Sequence, residues 1–247
     1  MYSGGLLTDL GSLGGQPNHG GAYDINDVGQ IVGYSPIDST NYHAFLYFGG
    51  TMQDLGTLGG GNSSANAINN LGQVAGVSGN RAFLYSGVSM QDLGTLGGGY
   101  SYAFGINDAG HVTGNSETNG GASHVFLFAN GSMNDLGTLG RGGYAMGINN
   151  LDQIVGTYLP STGNLNANYA YLYSDGSMLD LNTLIDPTSG WTIEEANAIN
   201  DDGLIAGFGF NSSGEHHALL LTPIVPEPST SLLLVGSLVT LALHRRR

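Results

Sequence analysis

The sequence predicts an all-β fold built from five similar repeats, followed by a C-terminal hydrophobic helix. Three observations carry this prediction. Glycine supplies 43 of 247 residues while hydrophobic residues still reach 40%, which is typical of a packed core joined by many tight turns. Three short landmarks recur in the same order along the chain, roughly 40 residues apart. Within the repeats, no stretch has a helical period long enough to predict a helix.

The landmarks are an Asp-Leu-Gly segment, an Ile-Asn pair and an aromatic-apolar run. The first begins at Asp9, Asp54, Asp92 and Asp135, with Asp-Leu-Asn at Asp180 as a fifth copy. The second begins at Ile25, Ile68, Ile106, Ile148 and Ile199. The third begins at His43, Arg81, His124, Tyr169 and His217. This agreement in order and spacing indicates internal duplication.

The first complete repeat predicts four strands. They are, in chain order, Ala22–Asn26, Gln30–Ser35, His43–Tyr47 and Thr51–Leu55. Asp27-Val28-Gly29 between the first two is a tight turn, with Gly29 placed to take a positive φ. The third strand carries the aromatic residues that strands favour.

Four strands per repeat of this length are typical of a propeller blade, so we predict a five-bladed β-propeller. In such a fold the outer strand of one blade must cross to the inner strand of the next, and the glycine-rich segment Thr57–Ser64 suits that crossover. A β-solenoid and a stack of antiparallel meanders are the alternatives.

The ends of the repeat region predict how the ring closes. Tyr2–Gly11 aligns with Tyr47–Gly56, so the chain begins on a fourth strand, and the last repeat ends after its third strand near Leu221. We therefore expect Leu6–Leu10 to pair beside His217–Leu221, which removes both sheet edges. The alternative is a gene start upstream of Met1.

These landmarks resemble the bacterial extracellular HAF repeat family, named for the His-Ala-Phe that begins here at His43. The resemblance covers residues 5–222. Arg81 and Tyr169 replace the histidine in two repeats, and Leu219 replaces the phenylalanine in the last. The histidine is therefore not an obligatory ligand, and the resemblance implies no catalytic activity.

The C-terminus resembles the PEP-CTERM sorting signal. Pro226-Glu227-Pro228 precedes an uncharged apolar run over residues 231–243, and Arg245, Arg246 and Arg247 follow it. The apolar run is shorter than the about 20 residues of a stable spanning helix. The resemblance implies an exosortase-type membrane protease as partner, removal of the tail, and delivery to the cell surface or its exopolysaccharide. An ordinary C-terminal anchor is the alternative.

The chain thus divides into a repeat domain at 1–222, a linker with the Pro-Glu-Pro motif at 223–230 and a transmembrane sorting segment at 231–247. The terminal arginines place that end in the cytoplasm and the body outside, held at the inner membrane before processing and at the cell surface afterwards. Residues 1–20 show no signal peptide, so we expect that the gene start is truncated.

Composition excludes several functions. The net charge is −14 and lysine is absent, which argues against nucleic acid as a partner but permits cations, neutral glycans or basic proteins. The absence of cysteine excludes thiol chemistry and thiolate metal sites. The repeated aspartates predict turn capping rather than calcium binding, because no EF-hand-type loop is present, so we expect no metal and no cofactor.

No catalytic constellation is found, and we predict a non-enzymatic surface or exopolysaccharide-matrix protein. A lectin-like glycan-binding propeller is the main alternative, and a glycan-active hydrolase is the third. The weak glycan-site candidates are Trp191, Glu194 and Glu195, since they break the repeat symmetry and the only tryptophan lies beside two carboxylates. Against this, Trp191 is expected first to pack the irregular last repeat.

Overall fold

The computed structural model describes residues 5–14, 20–165 and 167–223. Within these residues the chain forms nineteen strands and one short 3-10 turn at Leu181–Thr183. The strands are β1 (Gly21–Ile25), β2 (Ile31–Pro36), β3 (Tyr42–Phe48), β4 (Thr51–Asp54), β5 (Ser63–Ile68), β6 (Val74–Ser78), β7 (Arg81–Tyr85), β8 (Met90–Asp92), β9 (Gly97–Ile106), β10 (Val112–Thr118), β11 (Ser123–Ala129), β12 (Ser132–Gly137), β13 (Gly142–Ile148), β14 (Ile154–Leu159), β15 (Tyr169–Ser174), β16 (Ser177–Asp180), β17 (Trp191–Ile199), β18 (Ile205–Asn211) and β19 (His216–Leu221).

Each of the first four repeats is an antiparallel meander of four strands, and the fifth is a meander of three. The all-β prediction and the four-strand interpretation of the repeat are confirmed. The third and fourth repeats are joined into one larger sheet by a single parallel pair, Ser123 with Gly142. The predicted C-terminal helix at 231–247 lies outside the described residues.

The turn between the first two strands of a repeat has the predicted backbone. Gly29 has a φ of +79°, where an L side chain would be strained. In the fourth repeat Asp152 takes this place with a φ of +59°, a region that aspartate tolerates better than most residues. The hydrogen bond from Gly29 N to Asn26 O, 3.0 Å long, closes the turn.

A second glycine in every repeat is required by close packing, which the sequence patterns did not reveal. The register of β1 against β2 shifts at a bulge between Ala22 and Asp24. Beside this bulge the backbone of β1 lies very close to that of β2. A Cβ atom on Gly33 would lie 1.9 Å from the Gly21 carbonyl oxygen, so no side chain fits there. The equivalent glycines, each with a backbone oxygen within 2.1 Å of such a Cβ, are Gly76, Gly114, Gly156 and Gly207.

The apolar core lies between consecutive repeats. The first interface packs Val32 and Ala44 of the first repeat against Ala65, Val74 and Phe83 of the second. Equivalent clusters join the second repeat to the third, the third to the fourth and the fourth to the fifth. In the part of the chain that the structure describes, none of the clusters joins the fifth repeat to the first. Each repeat is therefore held by its neighbours in sequence.

The expected closure by the N-terminal strand is wrong. Residues 5–14 form no strand, Leu6 and Leu7 are 88% and 94% exposed, and β19 pairs only with β18 among the described strands. Leu13 N instead donates to Ser35 Oγ of the first repeat over 2.9 Å. This contact is equivalent to that of the next crossover, where Leu58 N donates to Ser78 Oγ, so residues 5–14 keep the entry into the first repeat without forming a strand.

The arrangement of the five repeats as the blades of a propeller stays a prediction. Within residues 5–14, 20–165 and 167–223, no helix is long and apolar enough to cross a membrane.

Candidate functional site

The two ends of the strands form two different faces. One end carries the Asn-containing turns between the first and second strands of each repeat, and we name it the turn face. The opposite end carries the connections between the second and third strands, and we name it the loop face. The loop-face connections differ in length and sequence from repeat to repeat, whereas the turn-face connections keep one pattern.

A ladder of asparagines runs through the turn face. Asn69 is only 4% exposed, and its Oδ1 accepts hydrogen bonds from the backbone nitrogens of Leu71 and Gln73 at 3.1 and 2.9 Å. Its Nδ2 donates to the Asn107 carbonyl oxygen of the next repeat over 2.9 Å. The same step recurs from Asn26 to Asn69, from Asn107 to Asn149 and from Asn149 to Asn200. Each amide thus both fixes its own turn and ties two repeats together.

The next residue of each turn forms a second row of contacts. Asp27 N donates to Asn70 Oδ1 over 3.0 Å, and Asn70 N donates to Asp108 Oδ1 over 2.9 Å. The row continues to Asn150 and Asp201, and the hydrogen bonds from Asn150 hold the pKa of the Asp201 carboxyl below its ordinary value. These contacts therefore join the turn of each repeat to the turn of the next.

A cavity of about 340 Å³ lies on this face and is lined by all five repeats. Its walls are the Ile-Asn landmark and the residue after it, namely Ile25–Asp27, Ile68–Asn70, Ile106–Asp108, Ile148–Asn150 and Ile199–Asp201. Because four of the five landmark asparagine side chains donate to the next repeat, they serve cohesion between repeats. In the described residues, no three His, Cys, Asp or Glu side chains are grouped to hold a metal ion.

The Asp-Leu-Gly aspartates cap turns, as predicted. Asp54 Oδ1 accepts from Gly56 N over 2.7 Å, and Asp9, Asp92, Asp135 and Asp180 make the same contact two residues ahead. The Asp54 carboxylate also pairs with the His43 ring, with Oδ1 and Nδ1 2.9 Å apart, and this pair joins β3 to β4.

That pairing explains the residues that replace the histidine in other repeats. His124 pairs with Asp135 at 2.9 Å, and Arg81 approaches Asp92 at 3.8 Å. In the fourth repeat, where Tyr169 replaces the histidine, the Tyr158 hydroxyl donates to Asp180 Oδ2 over 3.0 Å. In each of these repeats the aspartate has a hydrogen-bonding or charged partner, and that partner need not be a histidine. This indicates that the His–Asp pair has a structural role.

The three sequence-predicted glycan candidates lie on β17, and each contacts a different partner. Trp191 packs edge to face on His217, with ring centroids 5.4 Å apart. Glu194 Oε2 pairs with His216 Nδ1 at 3.0 Å. Glu195 Oε1 accepts from Asn197 Nδ2 over 2.7 Å. These contacts explain all three residues within the last repeat, and their binding to glycans stays a prediction.

A second cavity, of about 430 Å³, opens on the loop face of the first repeat. We name it the tyrosine pocket, and its residues are Tyr23, Tyr34, Pro36, Asp38, Ser39, Thr40, Asn41, Tyr42 and Ser64. The Tyr34 ring contacts Tyr23 at 5.5 Å and Tyr42 at 5.1 Å between centroids. Partial burial and then the neighbouring Tyr34 hydroxyl raise the pKa of Tyr23, so it is a neutral phenol.

Sequence reasoning missed this pocket, although a signal was present. Two residues before its Ile-Asn landmark the first repeat has Tyr23, whereas the second repeat has Asn66. Just before the aromatic run the first repeat has Tyr42, whereas the second has Asn80. Aligning the repeats shows that the first alone has tyrosine at both positions, since the third has Phe104 in place of Tyr23 but Ser123 in place of Tyr42.

The sorting residues Pro226, Glu227 and Pro228 and the terminal arginines lie outside the described residues.

Comparisons with known proteins gave a match to the C-terminus and a similarity to solved structures. The search of curated proteins found no match. Among solved structures the chain is similar to TolB from Acinetobacter baumannii, at 15% identity and a TM-score of 0.49. That match covers 80% of this chain and 53% of the TolB chain. The model of the PEP-CTERM protein-sorting motif matches residues 225–247, so the chain carries this motif at its C-terminus.

Proposed function

We propose that this protein is an exported, non-enzymatic surface protein, sorted by an exosortase-type membrane protease and associated with the exopolysaccharide matrix. The observation that carries the proposal is the sorting motif at residues 225–247, which implies an extracellular protein processed by an exosortase. The protein is held in the inner membrane by its C-terminal segment before processing. Its repeat body then leaves the membrane for the cell surface.

The contacts of the repeat body support a scaffold rather than a catalyst. The recurring Asn, Asp and His side chains are engaged in turns and in bonds between strands or repeats. Glu194 and Glu195, which follow the only tryptophan by three and four residues, are engaged with His216 and Asn197. A hydrolase of glycans would need two carboxylates with access to one sugar bond.

Processing of the tail tests the proposal. The full-length protein is expressed behind a functional signal peptide in a host that has the sorting protease, and its intact mass and cell fraction are measured. The mature protein is expected to lack Arg245–Arg247 and most of Ser231–Leu243. Glu227→Ala is expected to accumulate uncut in the inner membrane, because it removes the only charge of the Pro-Glu-Pro motif.

Glu215→Ala is the matched control, because it removes an exposed glutamate of the repeat domain and is expected to be processed normally. If the wild type keeps its whole tail in the inner membrane, the sorting proposal fails and an ordinary C-terminal anchor is the better explanation.

A lectin-like role is the second candidate function, and the tyrosine pocket is the observation that favours it. Exposed aromatic rings beside hydrogen-bonding side chains are the usual composition of a site for a small polar ligand.

A further inference from the structure

The tyrosine pocket combines Tyr23, Tyr34 and Tyr42, a set of three tyrosines that no other repeat has at the equivalent positions. The Asn ladder, the Asp turns and the His–Asp pairs recur and serve cohesion between strands and repeats. Tyr23 and Tyr42 occur only in the first repeat at their positions and are 57% and 38% exposed. They contribute little to a core, so burial does not explain them.

The aromatic rings form angled walls rather than one packed stack. The planes of Tyr23 and Tyr34 meet at 41°, and those of Tyr34 and Tyr42 meet at 64°. Walls of this kind present π faces to a ligand, and such faces attract both apolar C–H groups and positive charge. The cavity of about 430 Å³ lies within the range of small-molecule sites.

The loop that completes the pocket holds a carboxylate in a fixed position. Asp38 Oδ1 accepts from Thr40 N, Thr40 Oγ1 and Asn41 N at 2.7, 2.9 and 2.8 Å. Asp38 Oδ2 accepts from Asn41 Nδ2 alone, over 2.8 Å, and so keeps a lone pair for a ligand. The Asn41 side chain, followed by the other loop donors, holds the pKa of Asp38 well below its usual range, so the group is an anion at neutral pH.

The negative charge of the pocket favours a positively charged ligand over an acidic one. None of the described residues that line the pocket is Lys or Arg, and the chain as a whole has a net charge of −14. An acidic sugar would meet a fixed negative charge with no positive partner, whereas an ammonium group would meet both the carboxylate and the π faces.

We infer that the tyrosine pocket binds a saccharide that carries a protonated amino group. In this arrangement the sugar's C–H faces lie on the tyrosine rings and its ammonium group lies at Asp38 Oδ2. The inference rests on the proposed matrix association for the source of the ligand, but the pocket itself is argued from the first repeat alone.

Binding of a glucosamine oligomer tests the inference. The full chain in mild detergent is titrated calorimetrically with this probe at slightly acidic pH, where the amine is protonated. Tyr42→Ala is expected to weaken binding by about twofold to tenfold, because the sugar loses one of the aromatic rings against which its C–H faces pack. Asp38→Asn is expected to weaken it as well and to reduce its sensitivity to salt. The matched control is Tyr144→Ala, because Tyr144 is 37% exposed and lies on β13 away from the pocket.

Each contrary result has its own meaning. Equal binding of the N-acetylated oligomer would overturn the role of the ammonium group. Equal competition by tetramethylammonium would overturn the saccharide in favour of a simple organic cation. Absence of binding by the wild type, or equal loss in Tyr144→Ala, would overturn the site. Thermal melts of each variant separate loss of binding from loss of folding, and none of these outcomes bears on tail processing.

Discussion

At the residue scale, the hydrogen-bonding side chains of the repeats are nearly all paired, and Tyr171 on β15 is an exception. Its side chain is fully buried, and its hydroxyl has no hydrogen-bond partner among the described residues. Burial raises the pKa of Tyr171 far above its ordinary value. A buried hydroxyl without a partner costs free energy, because it leaves its bonds to water behind.

We therefore expect Tyr171→Phe to keep the packing of the cluster with Val125 and Ile154 and to raise the free energy of unfolding by about 1 kcal/mol. Urea unfolding followed by circular dichroism measures this change. Tyr158→Phe is the control, because the Tyr158 hydroxyl donates to Asp180 and its removal is expected to cost about 1 kcal/mol. A destabilised Tyr171→Phe would mean that its hydroxyl has a partner.

At the scale of elements, the strands and turns were predictable because their signals are local. The aromatic-apolar runs, the tight turns and the Asp-Leu-Gly caps act within a few residues of the chain. The bounds of β2 and β3 differ from the predicted ones by one residue at each end. The Asn ladder and the glycine at Gly33 were not predictable in this way. Both depend on which backbone approaches from another strand or another repeat, and a single repeat does not contain that information.

The ladder gives a prediction with an internal control. Asn107 caps its own turn through Oδ1 and donates through Nδ2 to the Asn149 carbonyl, so Asn107→Ala is expected to cost about 2–4 kcal/mol. Asn200 makes the same cap but is exposed, and within the described residues its Nδ2 reaches no further repeat. Asn200→Ala should therefore cost distinctly less, as measured by chemical unfolding. Equal costs would show that the bond between repeats contributes nothing.

At the scale of the whole molecule, the five repeats form a series that lines one cavity, and no apolar cluster of the described residues joins its last repeat to its first. The apolar side chains at its two ends remain accessible, with Ile25 61% exposed on the first repeat and Leu220 68% exposed on the last. The equivalent Ile68 and Ile106 are only 6% and 9% exposed, because a preceding repeat covers them. Repeat number and order were predictable from the sequence, whereas the closure was not, since strand pairing between chain ends leaves no periodic signal.

Deletion of residues 1–11 tests whether the N-terminal segment contributes to the stability of the repeats. Leu6 and Leu7 are exposed and pair with no described strand, so the melting temperature is expected to remain unchanged. A clear loss would indicate that the segment completes the last sheet after all. The shortened protein still contains Leu13, so the hydrogen bond from Leu13 N to Ser35 Oγ at the start of the first repeat is retained.

The ladder also bears on how such a chain can change length. Its four steps join asparagines that are 43, 38, 42 and 51 residues apart, yet the bonds from Nδ2 to the carbonyl oxygen measure 3.0, 2.9, 3.1 and 2.9 Å. The extra residues lie in other connections, such as residues 160–165 and 167–168 on the loop face and 181–190 before β17. Insertions and deletions can thus accumulate on one face while the joints between repeats keep a constant geometry. The loop face, which carries the tyrosine pocket, can therefore vary in sequence and length while the hydrogen bonds between repeats stay the same.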